Sequence, residues 1–193
     1  MTVFDNLTKK KDKRVMMNAP AHKGKTSLPY LKKFSANVDI SDFPNSDGEY
    51  EAIKEAEARA AELWGADASY IVTGGSAAGM LAAIYAHTVE GTEVLVARNC
   101  PKYVYNALEV CRVIPRYIVP DSDKLGFFGS IDPKDVEDAL IAYRNVRLVI
   151  ITSPTAEGVI SDVSEISRIT RARGIPLIVD EPCGAHLGFS DFF

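Results

Sequence analysis

The sequence has few cysteines, and they are too widely spaced to form a recognisable site. Cys100, Cys111 and Cys183 are an odd number, and their spacings match neither a zinc site nor a disulfide framework. The three histidines are equally scattered, without a cysteine or carboxylate at a ligand spacing. We therefore expect no metal site, no disulfide and a reduced, cytoplasmic setting.

Long apolar runs and an excess of basic charge are also absent. No segment reaches the roughly 20 apolar residues of a membrane helix, and the opening MTVFDNLTKKKDKR has charges where a secretory signal needs an apolar core. The formal net charge of -4 gives no general reason to expect a nucleic-acid partner. The basic run from Lys9 to Arg14 is typical of a solvated terminus. Neither a membrane nor nucleic acid is predicted as a partner.

What the sequence does contain is an alternation of helical and strand-like segments. Apolar residues recur at three- and four-residue spacing from Glu49 to Trp64, which predicts an amphipathic helix that ends at Gly65. Later helices are predicted over Ala77–His87, Tyr103–Cys111, from Asp132 onward, and over Ser161–Arg173. Strands are predicted at Tyr70–Thr73, Thr92–Ala97, Val113–Val119, Val146–Thr152 and Ile175–Asp180.

This alternation predicts an α/β fold with a mostly parallel sheet and helices on both faces. Strands that are apolar throughout belong to sheets that are covered on both sides. Residues 1–48 are polar and irregular and are predicted to form an N-terminal arm, whereas residues 49–193 carry the folded domain.

The turn TGGSAAG, Thr73 to Gly79, is a candidate phosphate site. Its small residues Gly74, Gly75 and Ser76 would let backbone amides approach an anion at the positive end of a helix. The turn has neither the GxGxxG spacing of dinucleotide sites nor the lysine of a nucleoside-triphosphate loop. Alternatively, the glycines serve only a tight turn.

Asp180 ends the last apolar strand, so its carboxylate is expected at the carboxyl edge of the sheet. The Gly74 to Ser76 turn is expected at the same edge, as is the loop Ser153 to Gly158, which contains Thr155. A single rim would then carry two candidate sites and a third loop. Alternatively, Asp180 caps the turn that follows it, and the loop residues have an ordinary turn role.

Six segments, in order, resemble motifs of the ornithine/lysine/arginine decarboxylases, which are pyridoxal-phosphate enzymes with the aspartate-aminotransferase fold. APAHKGK resembles PGHKGG, GEYEAIKEAEARAAELWGAD the first long helix, and TGGSAAG the cofactor-phosphate turn GTSxGN. LVARNCPKY resembles RNxHKS, ITSPTAEGVISDV resembles PTYEGVxxDI, and IVDEPCGAHLGF resembles VDEAHGAHxxF.

The resemblance implies part of a transferase-like large domain over residues 49–193, with pyridoxal phosphate as the family's cofactor. It places Gly74, Gly75, Ser76 and Thr155 among the cofactor-binding residues. It also pairs Asp180 with the pyridinium nitrogen, so that the ring stays protonated and can accept electrons.

Several motif positions depart from the family pattern. Pro101 stands in place of the histidine that stacks on the cofactor ring, and a proline cannot make that contact. The other departures are Gly75 for the phosphate-turn threonine, Met80 for its asparagine, Ala156 for the tyrosine of PTYEG, and Pro182 and Cys183 for the Ala-His of DEAH.

The family's cofactor-binding lysine lies downstream of the DEAHGAH motif, and the thirteen residues after Asp180 include no lysine. This predicts a noncatalytic or degenerate decarboxylase-like protein, without a catalytic residue of its own. The alternatives are the N-terminal part of an active decarboxylase that a second chain completes, and a product of gene decay. An uncovered strand edge also predicts a homo-oligomer, or a hetero-oligomer with a decarboxylase relative.

Overall fold

The computed structural model describes residues 47–122, 124 and 126–189. The predicted arm of residues 1–48 lies almost entirely outside them, so its boundary remains a prediction. The APAHKGK motif also lies outside the described residues. The chain divides into two compact units, residues 1–71 and residues 72–193.

The first unit contains helix α1, Asp47–Trp64. The helix ends where the sequence predicts, because Gly65 adopts a left-handed conformation with φ of 63° and the amide of Ala66 bonds to the carbonyl of Ala61 at 2.8 Å. The chain then stays close to the helix, since the Ser69 hydroxyl donates to the Glu57 carbonyl.

The predicted strand at Tyr70–Thr73 is wrong, since these residues form no strand. The amide of Ile71 donates to the Glu57 carboxylate at 2.9 Å instead of to a neighbouring strand. Tyr70, Ile71 and Val72 have exposed fractions of 79%, 57% and 47%. A β-rich composition produces a strand only where another strand supplies hydrogen bonds and a packed face, and the described residues supply neither here.

The second unit contains a four-stranded parallel sheet, which confirms the other four predicted strands. Its strands are β1 (Glu93–Ala97), β2 (Ile114–Ile118), β3 (Val146–Thr152) and β4 (Leu177–Asp180), in the spatial order β2-β1-β3-β4. The helices are α2 (Gly75–His87), α3 (Lys102–Val110), α4 (Pro133–Ala142) and α5 (Val163–Ala172). Helix α2 packs against α3, and α4 packs against α5. The predicted α/β class is confirmed.

Two helix starts follow the sequence closely. Asp132 caps α4 by accepting a hydrogen bond from the Lys134 amide at 2.8 Å, with Pro133 at the first helical position. Asp162 caps α5 in the same way through the Glu165 amide at 2.9 Å. These caps fix where the chain leaves the sheet edge and enters each helix.

The core lies on both sides of the central strands. Val94, Leu95 and Val96 of β1 have no exposed surface, although neighbouring side chains in a strand point to opposite faces. Residues 148–151 of β3 are buried in the same way. Both faces of the sheet centre are therefore covered, and each large aliphatic side chain buried there contributes roughly 1.5–3 kcal/mol.

The strand order reverses direction between β1 and β3. From β1 the chain proceeds to β2 on one side, and then returns to place β3 on the other side. In open parallel sheets such a reversal leaves a ligand-binding crevice outside the carboxyl ends of the strands.

None of the helices in the described part of the chain combines the length and the hydropathy that a membrane span requires. The same residues contain no group of three or more side chains that could hold a metal ion.

Candidate functional site

A cavity of about 330 Å³ opens at the carboxyl end of β4. Its volume is at the lower end of the roughly 300–1,000 Å³ of small-molecule sites. One wall comes from α2 and the other from β4 and the residues after it. The lining residues are Ser76, Gly79, Met80, Ala83, Ile178, Val179, Asp180, Glu181 and Pro182.

The α2 wall begins at the two glycines that the sequence singles out. A side chain at Gly74 would place its Cβ 2.6 Å from the Cβ of Ala78, and Gly75 has a φ of 73°, which favours glycine. No side chain caps α2, and its first turn has no acidic residue. Ser76, in that first turn, lines the cavity. The positive end of α2 therefore lies beside the cavity without a side-chain anion of its own.

The β4 wall ends in a buried carboxylate. Asp180 has an exposed fraction of 7%, and its two oxygens accept hydrogen bonds from the Tyr103 hydroxyl at 2.8 and 2.7 Å. The Thr152 hydroxyl donates to Oδ2 of Asp180 at 3.3 Å. A buried charge is costly unless such donors surround it. Tyr103 and Thr152 thus hold the Asp180 carboxylate at the strand end.

The groups around Asp180 are kept protonated by their surroundings. Burial and the hydrogen bond to Asp180 raise the pKa of the Tyr103 hydroxyl well above its usual range. Burial also raises the pKa of the Cys100 thiol to about 11, and the negative charge of Asp180 adds to this effect. At neutral pH, Asp180 is therefore surrounded by neutral hydroxyl and thiol groups.

Thr155 lies at the same sheet edge but in a different position. It is buried in the loop after β3, where its hydroxyl accepts a hydrogen bond from the Val159 amide at 3.3 Å. It is not one of the residues that line the cavity. The Ser153 amide donates a hydrogen bond to the Asp180 carbonyl at 3.0 Å, which connects the loop to β4. The Ser153–Pro154 peptide bond is cis. The cofactor-binding role assigned to Thr155 remains a prediction.

Asn99, two residues beyond β1, has an unusual environment. Both polar atoms of its side chain are buried, and neither has a hydrogen-bond partner within the described structure. An unpaired buried amide costs about 1–3 kcal/mol, so such groups are rare outside functional sites. Asn99 therefore adds an unpaired polar group just beyond the carboxyl end of β1.

The structure brings some of the predicted site residues together. Ser76 and Asp180 line one cavity, and Gly74 and Gly75 directly precede Ser76. Tyr103 is the important residue that the sequence analysis misses. The available signal is its place in LVARNCPKY, where Tyr103 stands at the position of the serine in RNxHKS.

Comparison with known proteins identifies the family of this chain. Residues 35–193 match the family model described as Orn/Lys/Arg decarboxylase, major domain. The uncharacterized protein YaaO of Bacillus subtilis is 36% identical over 135 residues, which are 69% of this chain and 28% of YaaO. An arginine decarboxylase of Halalkalibacterium halodurans is 26% identical over 186 residues, which are 92% of this chain and 38% of that enzyme.

A solved structure supports the fold. A chain in the crystal structure of the SepCysS-SepCysE N-terminal domain complex matches with a TM-score of 0.63 and 19% identity, over 91% of this chain and 47% of that chain. The fold is that of part of the large domain of pyridoxal-phosphate-dependent transferases, as the resemblance implies. The chain spans 28% and 38% of the lengths of the two sequence relatives. The chain belongs to the Orn/Lys/Arg decarboxylase family, and residues 35–193 match the model of its major domain.

Proposed function

We propose that the cavity between α2 and the end of β4 is the part of a basic amino-acid decarboxylase site that binds pyridoxal phosphate. The observation that carries the proposal is that Ser76 and Asp180 line the same cavity. Ser76 and the first turn of α2 would hold the phosphate, because that helix end is positive and has no side-chain cap. Asp180 would hold the ring nitrogen, because its buried carboxylate is a fixed negative partner.

The chemistry divides between the cofactor and the chain. When bound, pyridoxal phosphate supplies a protonated ring that accepts the electrons left as the carboxylate of an amino acid departs as carbon dioxide. Asp180 would keep a proton on the ring nitrogen, and Thr152 orients Oδ2 of Asp180. Ile178 and Val179 give the cavity an apolar wall.

We further propose that these residues bind the cofactor without decarboxylating an amino acid on their own. Among the described residues that line the cavity, none is a lysine that could attach the cofactor covalently. Pro101 supplies no imidazole to stack on the ring. In the alternative, the rest of a decarboxylase completes the site from a second chain, which the greater length of the relatives favours.

The phosphate assignment can be tested by calorimetric titration of pyridoxal phosphate into the protein and into a Ser76→Asp variant. A new carboxylate in the first turn should weaken binding at least about tenfold through repulsion of the phosphate. The same substitution favours the helix dipole, so lost binding would not reflect a lost helix. Ser164→Asp, at an exposed position in the first turn of α5, is the matched control. Equal binding by both variants would exclude the phosphate assignment.

The activity assignment needs a separate measurement. The purified chain should release no carbon dioxide from arginine, lysine or ornithine in the presence of pyridoxal phosphate. Borohydride reduction followed by mass spectrometry should find no cofactor attached to a lysine. Carbon dioxide release by the chain alone would contradict the noncatalytic proposal. Release only after addition of a separate decarboxylase fragment would favour the two-chain alternative.

We also propose that the chain associates with a second copy of itself. Among the described strands, β2 is an edge of the sheet, and Ile114 and Tyr117 on it are each 45% exposed, with Val119 beyond it 64% exposed. An open edge strand with apolar side chains favours pairing with another chain. Light scattering after size-exclusion chromatography should give a mass above the 21.1 kDa of one chain, and Ile114→Lys should reduce it. A stable monomer would contradict this proposal.

A further inference from the structure

The contact between Tyr103 and Asp180 spans 77 residues of sequence and is more symmetrical than an ordinary supporting hydrogen bond. The Tyr103 hydroxyl oxygen lies 2.8 Å from Oδ1 and 2.7 Å from Oδ2 of Asp180. A phenol has one proton to donate, so the two oxygens share it. The hydroxyl therefore lies across the open end of the carboxylate.

This placement matters because the carboxylate has little other free surface. Asp180 is 7% exposed, and Thr152 already donates to Oδ2 from the neighbouring strand. A ring N–H that is to bond to Asp180 must approach one of the same two oxygens at about 2.7–2.9 Å. The Tyr103 hydroxyl takes one lone-pair position on each oxygen and Thr152 takes a second on Oδ2, out of about four on a carboxylate. A ring N–H that approaches along the open end of the carboxylate therefore competes with Tyr103.

We infer that the Tyr103 hydroxyl blocks the approach of a ligand to the Asp180 carboxylate. A protonated ring nitrogen pairs with Asp180 only when the Tyr103 hydroxyl has given up its hydrogen bond. This inference rests on the proposed cofactor site. The exchange is selective for charge. A cationic N–H adds the attraction of two opposite charges to its hydrogen bond with the carboxylate, which a neutral phenol lacks, whereas an unprotonated ring nitrogen has no hydrogen to donate. The ligand class is therefore a phosphorylated aromatic heterocycle that carries a protonated nitrogen.

The position of Tyr103 allows this exchange. Tyr103 lies in the first turn of α3, and its side chain is only partly buried, so its hydroxyl can bond to water after leaving Asp180. Thr152 and the strand hold Asp180 in place, since the Ser153 amide bonds to its carbonyl. The moving partner is therefore the tyrosine, and the carboxylate stays.

The test is to titrate pyridoxamine phosphate, which cannot attach covalently to a lysine, into the protein and into Tyr103→Phe. Removal of the hydroxyl leaves the ring but takes away the competitor, so we expect binding to tighten about fivefold or more. Tyr105→Phe is the matched control, because the Tyr105 hydroxyl donates to the Arg98 carbonyl at 2.9 Å and does not contact Asp180. The Tyr105→Phe variant should bind as the unaltered protein does.

A second pair of variants assigns the gain to Asp180. Addition of Asp180→Asn to Tyr103→Phe should abolish the gain, because the freed carboxylate is no longer present. Tyr103→Ser, which restores the serine of the motif, should also bind more tightly than the unaltered protein. This second substitution keeps the inference testable if the phenylalanine variant folds poorly, and circular dichroism of each variant establishes folding.

The outcomes separate this inference from the proposed function. If the unaltered protein binds and Asp180→Asn weakens binding, but Tyr103→Phe and Tyr103→Ser do not tighten it, the cofactor site stands and the role of Tyr103 is wrong. If neither the unaltered protein nor the folded Tyr103 variants bind, both ideas are wrong, because removal of the hydroxyl should have opened the site.

Discussion

The body of the sheet and its carboxyl rim bury opposite kinds of side chain. Residues 94–97 of β1 and 148–151 of β3 are aliphatic and have no exposed surface. In the described part of the chain, five of the six buried polar residues lie at the ends of β3 and β4 or in the loop after β3. They are Thr152, Ser153, Thr155, Ser161 and Asp180.

The difference shows where stability and recognition arise. Apolar burial is non-directional, so the body contributes stability wherever the strands align. Buried polar groups are costly without hydrogen-bond partners, so the hydrogen-bonded groups at the rim fix one another's positions. The rim is consequently ordered enough to hold a ligand, and it depends on the body for its framework.

The largest effect is expected from a substitution in the body. Ile150→Ala, at the centre of β3, removes a side chain with no exposed surface and should lower the free energy of unfolding by about 2–5 kcal/mol. Ile114→Ala on edge strand β2, where the side chain is 45% exposed, should cost much less. Urea denaturation of both variants measures the difference. Equal losses would show that the edge of the sheet is packed as tightly as its centre.

A smaller effect is expected at the rim. The Ser161 hydroxyl accepts a hydrogen bond from the buried Ile131 amide at 2.9 Å, and the Ser161 amide donates to the Ser153 hydroxyl at 3.0 Å. Ser161→Ala leaves the Ile131 amide unpaired and should cost about 1–3 kcal/mol.

The control for this rim substitution is Ser164→Ala, at an exposed position three residues along the chain. It should change the free energy of unfolding by less than about 0.5 kcal/mol in the same urea denaturation. A loss at Ser161 no larger than the loss at Ser164 would contradict a rim that depends on its hydrogen bonds.

The body could be predicted from the sequence more completely than the rim. Val146–Thr152 is apolar apart from Arg147 and Thr152, and the structure gives β3 the same bounds. The caps at Asp132 and Asp162 follow from local chemistry, which involves only residues two or three positions away. The predicted strand at Tyr70–Thr73 failed because composition does not reveal whether a neighbouring strand is present.

The contacts of the rim depend on residues that are distant in sequence. The position of Asp180 at a strand end follows from the apolar run before it, and the structure places it there. Its partner Tyr103 could not be found from local patterns, because the contact depends on the strand order and on the direction of one side chain. The unpaired amide of Asn99 is likewise visible only in three dimensions.

The smallest effect compares two cysteines as the pH rises. Burial raises the pKa of Cys100 from 9.0 to about 11, so the folded state holds the thiol proton more tightly than the unfolded chain does. The resulting stability is fully present below about pH 9 and is lost as the pH rises toward 11. From about pH 8 to about pH 10 the loss should be about 1 kcal/mol.

Cys100→Ala should remove this part of the slope, whereas Cys183→Ala, at an exposed position, should keep it. Urea denaturation of the three proteins at both pH values provides the measurement, and equal slopes would show that the thiol at the rim is not shielded as the structure indicates.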